Sequence, residues 1–149
     1  MADERPRPRE YRGESIAVTF DSLRCIHAEA CVRGLPTVFD LNARPWVQLN
    51  RGNANEIADV VQQCPSGALT FKRVTFGAEE RADEPPRIIV IPDGPLYVRG
   101  DFEYPTVTGE QVRTSRAALC RCGDSANKPF CDNSHVAQGF QAPEQAPRG

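Results

Sequence analysis

The sequence predicts an α+β fold in two parts, a small α+β module followed by a β-rich one. Three observations carry this. One segment has the apolar spacing of a helix, several short segments alternate with period two, and a charged, proline-ended stretch between residues 77 and 86 has neither pattern.

Residues 1–13 read as a disordered, solvated tail, rich in arginine and proline. The first module spans 14–76. Within it "SIAVTF" places Ile16, Val18 and Phe20 on one face of a half-buried strand. "CIHAEACVRGLP" reads as a loop running into a helical turn that Gly34 and Pro36 stop. "PWVQL" is expected to be a second short strand. In "NANEIADVVQQC", residues Ile57, Val60, Val61 and Cys64 fall on one helical face. Asn53 is in place to cap that helix, with Glu56 three residues on as in a capping box. Pro65 and Gly67 end it, and "ALTFKRV" returns as a strand. After the linker at 77–86, the second module spans 87–140. "RIIVIPDGPLYVRGDF" is a strand, a turn at Pro92–Pro95 and another strand, and "RAALC" leads a further strand into a cysteine-rich segment. Residues 141–149 form a polar tail.

Composition narrows the function. A net charge of −2 over 149 residues gives no basic face for nucleic acid. No apolar run reaches the length of a membrane helix, and "MADERPRPREYRGES" has no hydrophobic segment of the secretory kind, so a cytoplasmic protein is expected. In that compartment clustered cysteines bind metal more often than they form disulfides. Modules below about 70–80 residues rarely hold together by apolar burial alone. Each module here carries three of the six cysteines, so metal centres are candidates for the missing stabiliser.

The second module concentrates its chemistry in "CRCGDSANKPFCDNSH". Cys120 and Cys122 stand one residue apart, and both can reach one metal if the chain bends, which Gly123 permits. Cys131 and His135 share one side of a helical turn that Asp132 can open, with Pro129 fixing the approach. Three thiolates and an imidazole suit zinc or iron–sulfur chemistry. The single-residue gap is unusual for zinc and suits two bridged irons, with Cys120 and Cys122 on one and Cys131 and His135 on the other. The stretch resembles the CDGSH iron–sulfur signature at Cys120, Cys122, Ser125, Pro129, Cys131, Asp132, Ser134 and His135. Asn133 departs from the pattern, standing where that family has glycine, and asparagine is the next best residue for a left-handed backbone. The Gly139–Phe140 pair also resembles the family. The resemblance implies a [2Fe-2S] cluster held by three cysteines and one histidine, in a β-rich cap often built from two such modules. With one signature in this chain, it makes a homodimer a candidate.

The first module holds Cys25, Cys31 and the Cys64–Pro65 pair. Against a bacterial ferredoxin run, Ala28 occupies the central ligand position. Three readings stay open: a [3Fe-4S] cluster on three thiolates, a [4Fe-4S] cluster completed by His27, Glu29 or water, or buried inert cysteines. Residues 15–73 resemble the divergent mono-cluster 4Fe-4S ferredoxin domain, often found beside CDGSH modules. That resemblance implies a ferredoxin-like α+β module with a cluster at Cys25, Cys31 and Cys64, and leaves His27 open as a fourth ligand.

No nucleophile elbow, phosphate loop or dinucleotide fingerprint accompanies these cysteines, and no residue is assigned a catalytic role. The expected activity is one-electron transfer without enzymatic turnover, to an unidentified redox partner, with no nucleic-acid or membrane partner. Cluster storage, cluster transfer or redox and pH sensing is the alternative. A zinc-stabilised interaction module is the third.

Overall fold

The computed structural model describes residues 6–143. Its elements are β1 (Arg9–Arg12), β2 (Ile16–Phe20), α1 (Ala30–Gly34), α2 (Ala54–Gln62), β3 (Leu69–Arg73), β4 (Arg87–Val90), β5 (Leu96–Pro105), β6 (Gln111–Leu119) and α3 (Ser134–Ala137). They form two antiparallel sheets, ordered β1-β2-β3 and β4-β5-β6, and the fold is α+β. One unit gathers residues up to Cys64 with Ala68–Glu80; the other gathers Pro65–Gly67 and the residues from Arg81 on.

In the first unit, β2 is the central strand, and it packs Ile16 and Val18 against Leu69 and Phe71 of β3. The apolar face of α2 closes this core with Ile57, Val60 and Val61. Full burial of each such side chain stabilises by about 1.5–3 kcal/mol. The Asn53 side chain caps α2 by accepting from the Asn55 N–H at 2.7 Å. Phe39 and Trp46 extend the core, and Trp46 meets Phe20 edge-on at 5.0 Å between ring centroids.

The structure corrects three expectations. Residues 9–12 are not tail: they form β1, paired with β2 in a register that sets Tyr11 opposite Val18. Tyr11 packs on the core while its neighbours face solvent. An edge strand with one apolar anchor has no period-two pattern to read. Residues 1–5 of that expected tail lie outside the described residues. "PWVQL" forms no strand. It makes one antiparallel bridge, Phe39 to Val47, flanked by Asp40 N–H to Trp46 C=O and Gln48 N–H to Val38 C=O, both at 2.8 Å. Pro45 has no N–H to extend the ladder, and a 3-10 turn at Leu49–Arg51 ends it. The expected polar tail at 141–149 begins tied down: the Ala142 N–H donates to the Asp93 carboxylate at 2.8 Å, and its carbonyl accepts from the Asp93 N–H at 3.0 Å. Residues 144–149 lie outside the described residues.

The expected linker at 77–86 also does structural work. β3 is an edge strand, and the Phe71 and Arg73 N–H groups on that edge donate to the carboxylates of Glu80 and Glu79. Acidic side chains thus occupy backbone donors that would otherwise invite another strand.

In the second unit β5 runs between β4 and β6, with a register shift between Arg99 and Phe102. Gly100 sits at that irregularity with φ 152°, and a Cβ there would lie 2.8 Å from Cβ of Pro86. The Asp83 carboxylate accepts from Arg99 at 2.9 Å and Arg87 at 2.7 Å. Those hydrogen bonds hold its pKa below the usual carboxylate value. A depressed carboxylate pKa contributes stability above its unfolded value near 3.9, and loses it as pH falls through the lower folded value. Asp83→Asn should therefore lower the stability of the iron-free chain at pH 7 by about 0.2–1 kcal/mol. The gap should close at the acid end of the titration, as read by urea unfolding at both pH values.

Candidate metal centres

The C-terminal donors are set by a closed backbone loop. β6 ends at Leu119, which bridges antiparallel to Phe130. The Cys120 N–H donates to the Pro129 carbonyl and the Cys131 N–H to the Ala118 carbonyl, each at 2.8 Å. Cys120 and Cys131 therefore leave neighbouring strands of one ladder. Inside the loop the buried Ser125 hydroxyl donates to the Phe130 carbonyl at 2.6 Å and accepts from the Asn127 N–H at 3.0 Å. Gly123, at φ 89°, supplies the bend after Cys122.

Asp132 organises the other arm. Its carboxylate accepts from the Ser134 N–H and the Ala126 N–H, at 3.0 and 2.9 Å, and from the Ser134 hydroxyl. Asn133 takes a left-handed conformation, φ 70° and ψ 9°, as the N-cap of α3. The turn that follows swings the His135 ring back onto Cys131.

The result is two pairs. The sulfurs of Cys120 and Cys122 lie 3.7 Å apart, and Cys131 Sγ lies 3.6 Å from His135 Nδ1. Two sulfurs on one tetrahedral metal, with bonds of about 2.3 Å, stand about 3.8 Å apart; a sulfur and an imidazole nitrogen stand about 3.6 Å apart. Each pair therefore has the spacing of two ligands on one metal. All four donors line one pocket, together with Gly94, Pro95 and Arg121. Among the described residues no three His, Cys, Asp or Glu side chains come together tightly enough for a single ion.

Backbone donors already address these sulfurs. Cys120 accepts from the Gly123 N–H, Cys122 from Asp124 and Cys131 from Asn133, at 3.3 to 3.4 Å. Burial opposes ionisation of Cys120, but N–H groups of Ser125 and Gly123, the Cys122 thiol and the Lys128 charge outweigh it, and its pKa falls below the ordinary thiol value. At Cys131 burial wins and pushes the thiol up, the Asn133 N–H opposing and the Cys120, Asp132 and Cys122 charges adding to the rise.

The N-terminal cysteines lie on and around α1 and at the end of α2. Cys31 on α1 and Cys64 just past α2 are half-buried against the core, and Cys25 lies in the preceding loop. Burial pushes the Cys31 thiol up to about 11, with the charges of Cys64 and Cys25 adding to it. Cys25 is raised by burial and by Cys64, against a hydrogen bond from the His27 N–H. The loop is strained: His27 and Glu29, on either side of Ala28, both take left-handed backbone, φ 56° and 66°. Cys25 Sγ accepts from the His27 N–H at 3.4 Å, and the His27 ring nitrogen Nδ1 lies 3.9 Å from the same sulfur. The Glu29 carboxylate, the other expected substitute ligand, instead pairs with Arg33 at 2.6 Å.

One residue of the C-terminal site carried no signal in the sequence. Arg121, between two donor cysteines, gives its guanidinium to three backbone carbonyls, those of Gly94, Ile91 and Ala142. Carbonyl partners lie on every residue, so no side-chain pattern could announce them.

Two small units, each gathering three cysteines with a histidine beside them, define an iron–sulfur-binding protein. Comparison with known proteins gives the same class. Residues 11–73 match the family described as divergent 4Fe-4S mono-cluster, and residues 93–136 match the iron-binding zinc finger of CDGSH type. The uncharacterized protein YjdI of Escherichia coli strain K12 is 38% identical over 62 residues, covering 42% of this chain and 82% of the relative. YjdI of Escherichia coli O157:H7 aligns over the same extent with the same identity. The chain belongs to the divergent 4Fe-4S mono-cluster family, and it carries a CDGSH-type iron-binding domain after that module.

The left-handed cap at Asn133 yields a test. Glycine tolerates that conformation freely, whereas a β-branched residue does not. Asn133→Gly should change stability by less than about 1 kcal/mol and keep iron, whereas Asn133→Val should cost about 1–2 kcal/mol. Urea unfolding and iron content per chain measure both.

Proposed function

We propose that the protein is a one-electron carrier with a [2Fe-2S] cluster in its C-terminal module and a second cluster, [3Fe-4S] or [4Fe-4S], in its N-terminal module. The observation that carries this is the division of the C-terminal donors into two pairs at 3.7 and 3.6 Å. A single zinc ion needs all four donors around one point, whereas two bridged irons need them two by two. When bound, such clusters supply one-electron redox chemistry. The chain supplies the donors Cys120, Cys122, Cys131 and His135, backbone N–H groups aimed at the thiolates, and a wall around them. N–H···S hydrogen bonds stabilise the added negative charge of a reduced centre and raise its potential.

For the N-terminal centre, Cys25, Cys31 and Cys64 are the donors. In a cubane each iron takes one outside ligand, so two ligands of one cluster belong to different irons and stand well apart. His27 Nδ1, at 3.9 Å from Cys25 Sγ, has the position of a hydrogen-bond partner of that thiolate. This favours three protein ligands, with the fourth corner empty or solvent-bound.

The chain carries no catalytic residue in this reading. It exchanges electrons with a protein partner in the cytoplasm, binds neither nucleic acid nor membrane, and pairs with a second copy through its CDGSH-type module. Among the described residues no helix is long and apolar enough to cross a membrane.

Anaerobic purification with iron and acid-labile sulfide counted per chain tests the reading, together with EPR before and after reduction. A signal in the oxidised protein identifies [3Fe-4S]; signals appearing only on reduction identify [4Fe-4S] and [2Fe-2S]. Zinc without labile sulfide would overturn the proposal.

The imidazole should make the C-terminal centre acid-labile, because a proton competes with iron for the ring nitrogen. His135→Cys should slow bleaching in mild acid and lower the potential by roughly 100–300 mV. Equal bleaching of variant and parent would refute His135 as ligand. His27→Ala should keep the N-terminal iron and sulfide, and loss of that whole centre would make His27 a ligand.

A further inference from the structure

We propose that Arg121 is a positioning residue of the C-terminal centre, tying the Ile91–Pro95 turn, which walls the donor pocket, to the segment after α3. This rests on the [2Fe-2S] reading and goes beyond it by naming what keeps that cluster in place.

Arg121 stands between Cys120 and Cys122, so its backbone is fixed by both donors. Its side chain turns to the pocket wall. Nε donates to the Gly94 carbonyl at 2.9 Å, and Nη2 donates to the carbonyls of Ile91 at 2.9 Å and Ala142 at 2.8 Å. The guanidinium also lies over the Phe140 ring, 5.2 Å from its centroid. Gly94, Pro95 and Arg121 face the same pocket as the four donors. One planar cation therefore ties two loops, from either end of the module, to the residue between two cysteines. A lysine keeps the charge but donates from a single point, so it does not reproduce a fork spread over three carbonyls.

Asp93 makes a second tie between the same two loops. Its N–H donates to the Ala142 carbonyl and its carboxylate accepts from the Ala142 N–H. Asp93 has φ 55°, so glycine there removes the carboxylate and keeps the backbone unstrained. Asp93→Gly therefore loosens the wall without changing any residue of the donor segment.

With the wall open, water and chelator reach the cluster more easily. Partners that orient metal ligands without touching the metal are worth about 10–100-fold in metal retention. The [2Fe-2S] centre with three thiolates gains negative charge on reduction, so added water favours the reduced form.

The test compares wild type, Arg121→Lys and Asp93→Gly as full-length proteins loaded anaerobically. The readouts are loss of visible absorbance in excess EDTA, reduction potential, and amide exchange of Ile91, Asp93, Gly94 and residues 140–142. Both variants should load two irons at this centre, lose them about 10-fold faster or more, and exchange those amides faster. Both variants should also shift the potential of the loaded centre upward, because both admit water to an intact cluster, whereas a wall needed only for loading would leave that potential unchanged. Parental loss rates in either loaded variant would overturn the assignment while leaving the cluster reading intact. A wild type that takes up no two-iron centre would overturn both.

Discussion

The C-terminal site depends on the short antiparallel closure between residues 118–120 and 129–131. Two backbone hydrogen bonds, Cys120 to Pro129 and Cys131 to Ala118, bring the first and third cysteines together across a loop that would otherwise hold them apart. Everything else in the site refines what this closure begins. Ser125 braces the loop from inside through Phe130 and Asn127. Asp132 gathers the N–H groups of Ala126 and Ser134 so that α3 starts at the right point and His135 returns to Cys131. The donors are thus arranged by hydrogen bonds that need no metal.

The N-terminal module reaches a similar end by another route. Its cysteines belong to the rim of an apolar core, with Cys31 and Cys64 packed against the side chains that also hold α2 onto β2 and β3. Burial then works against ionisation, which is why Cys31 is driven up to about 11 while N–H donors hold Cys120 below the ordinary value. Iron must displace protons at both sites, but at the core-borne one it displaces them from a more reluctant thiol. Apolar packing fixes position at the cost of charge; in the hydrogen-bonded loop N–H donors favour charge at Cys120, while at Cys131 burial still opposes it.

This difference also explains what the sequence could tell. α2 was legible because Ile57, Val60 and Val61 repeat with the helical period and all face the core. The four C-terminal donors were legible because their spacing is short and their chemistry is rare. Asn133 was legible as a glycine substitute, and its backbone is left-handed. β1 was hidden because only Tyr11 of its four residues turns inward. The expected strand at 45–49 failed because apolar residues alone do not make a ladder when Pro45 lacks a donor. Glu79 and Glu80 looked like linker charge, yet they serve the β3 edge as acceptors. In each hidden case the deciding partner is a backbone group, and backbone groups leave no trace in residue identity.

A module this small must also shelter its iron–sulfur centre from solvent. A cluster bonded only to a loop would be reachable by water from every side. The second unit places turn residues Gly94 and Pro95 on one side of the donors and uses a half-buried guanidinium, not an apolar plug, to keep them there. An apolar plug would add hydrophobic area where the chain has little to cover it. A cation with three carbonyl partners satisfies its own donors and draws in two loops at once. The wall is therefore held by a side chain that is itself fixed between two donor cysteines, which ties the closure of the pocket to the donors.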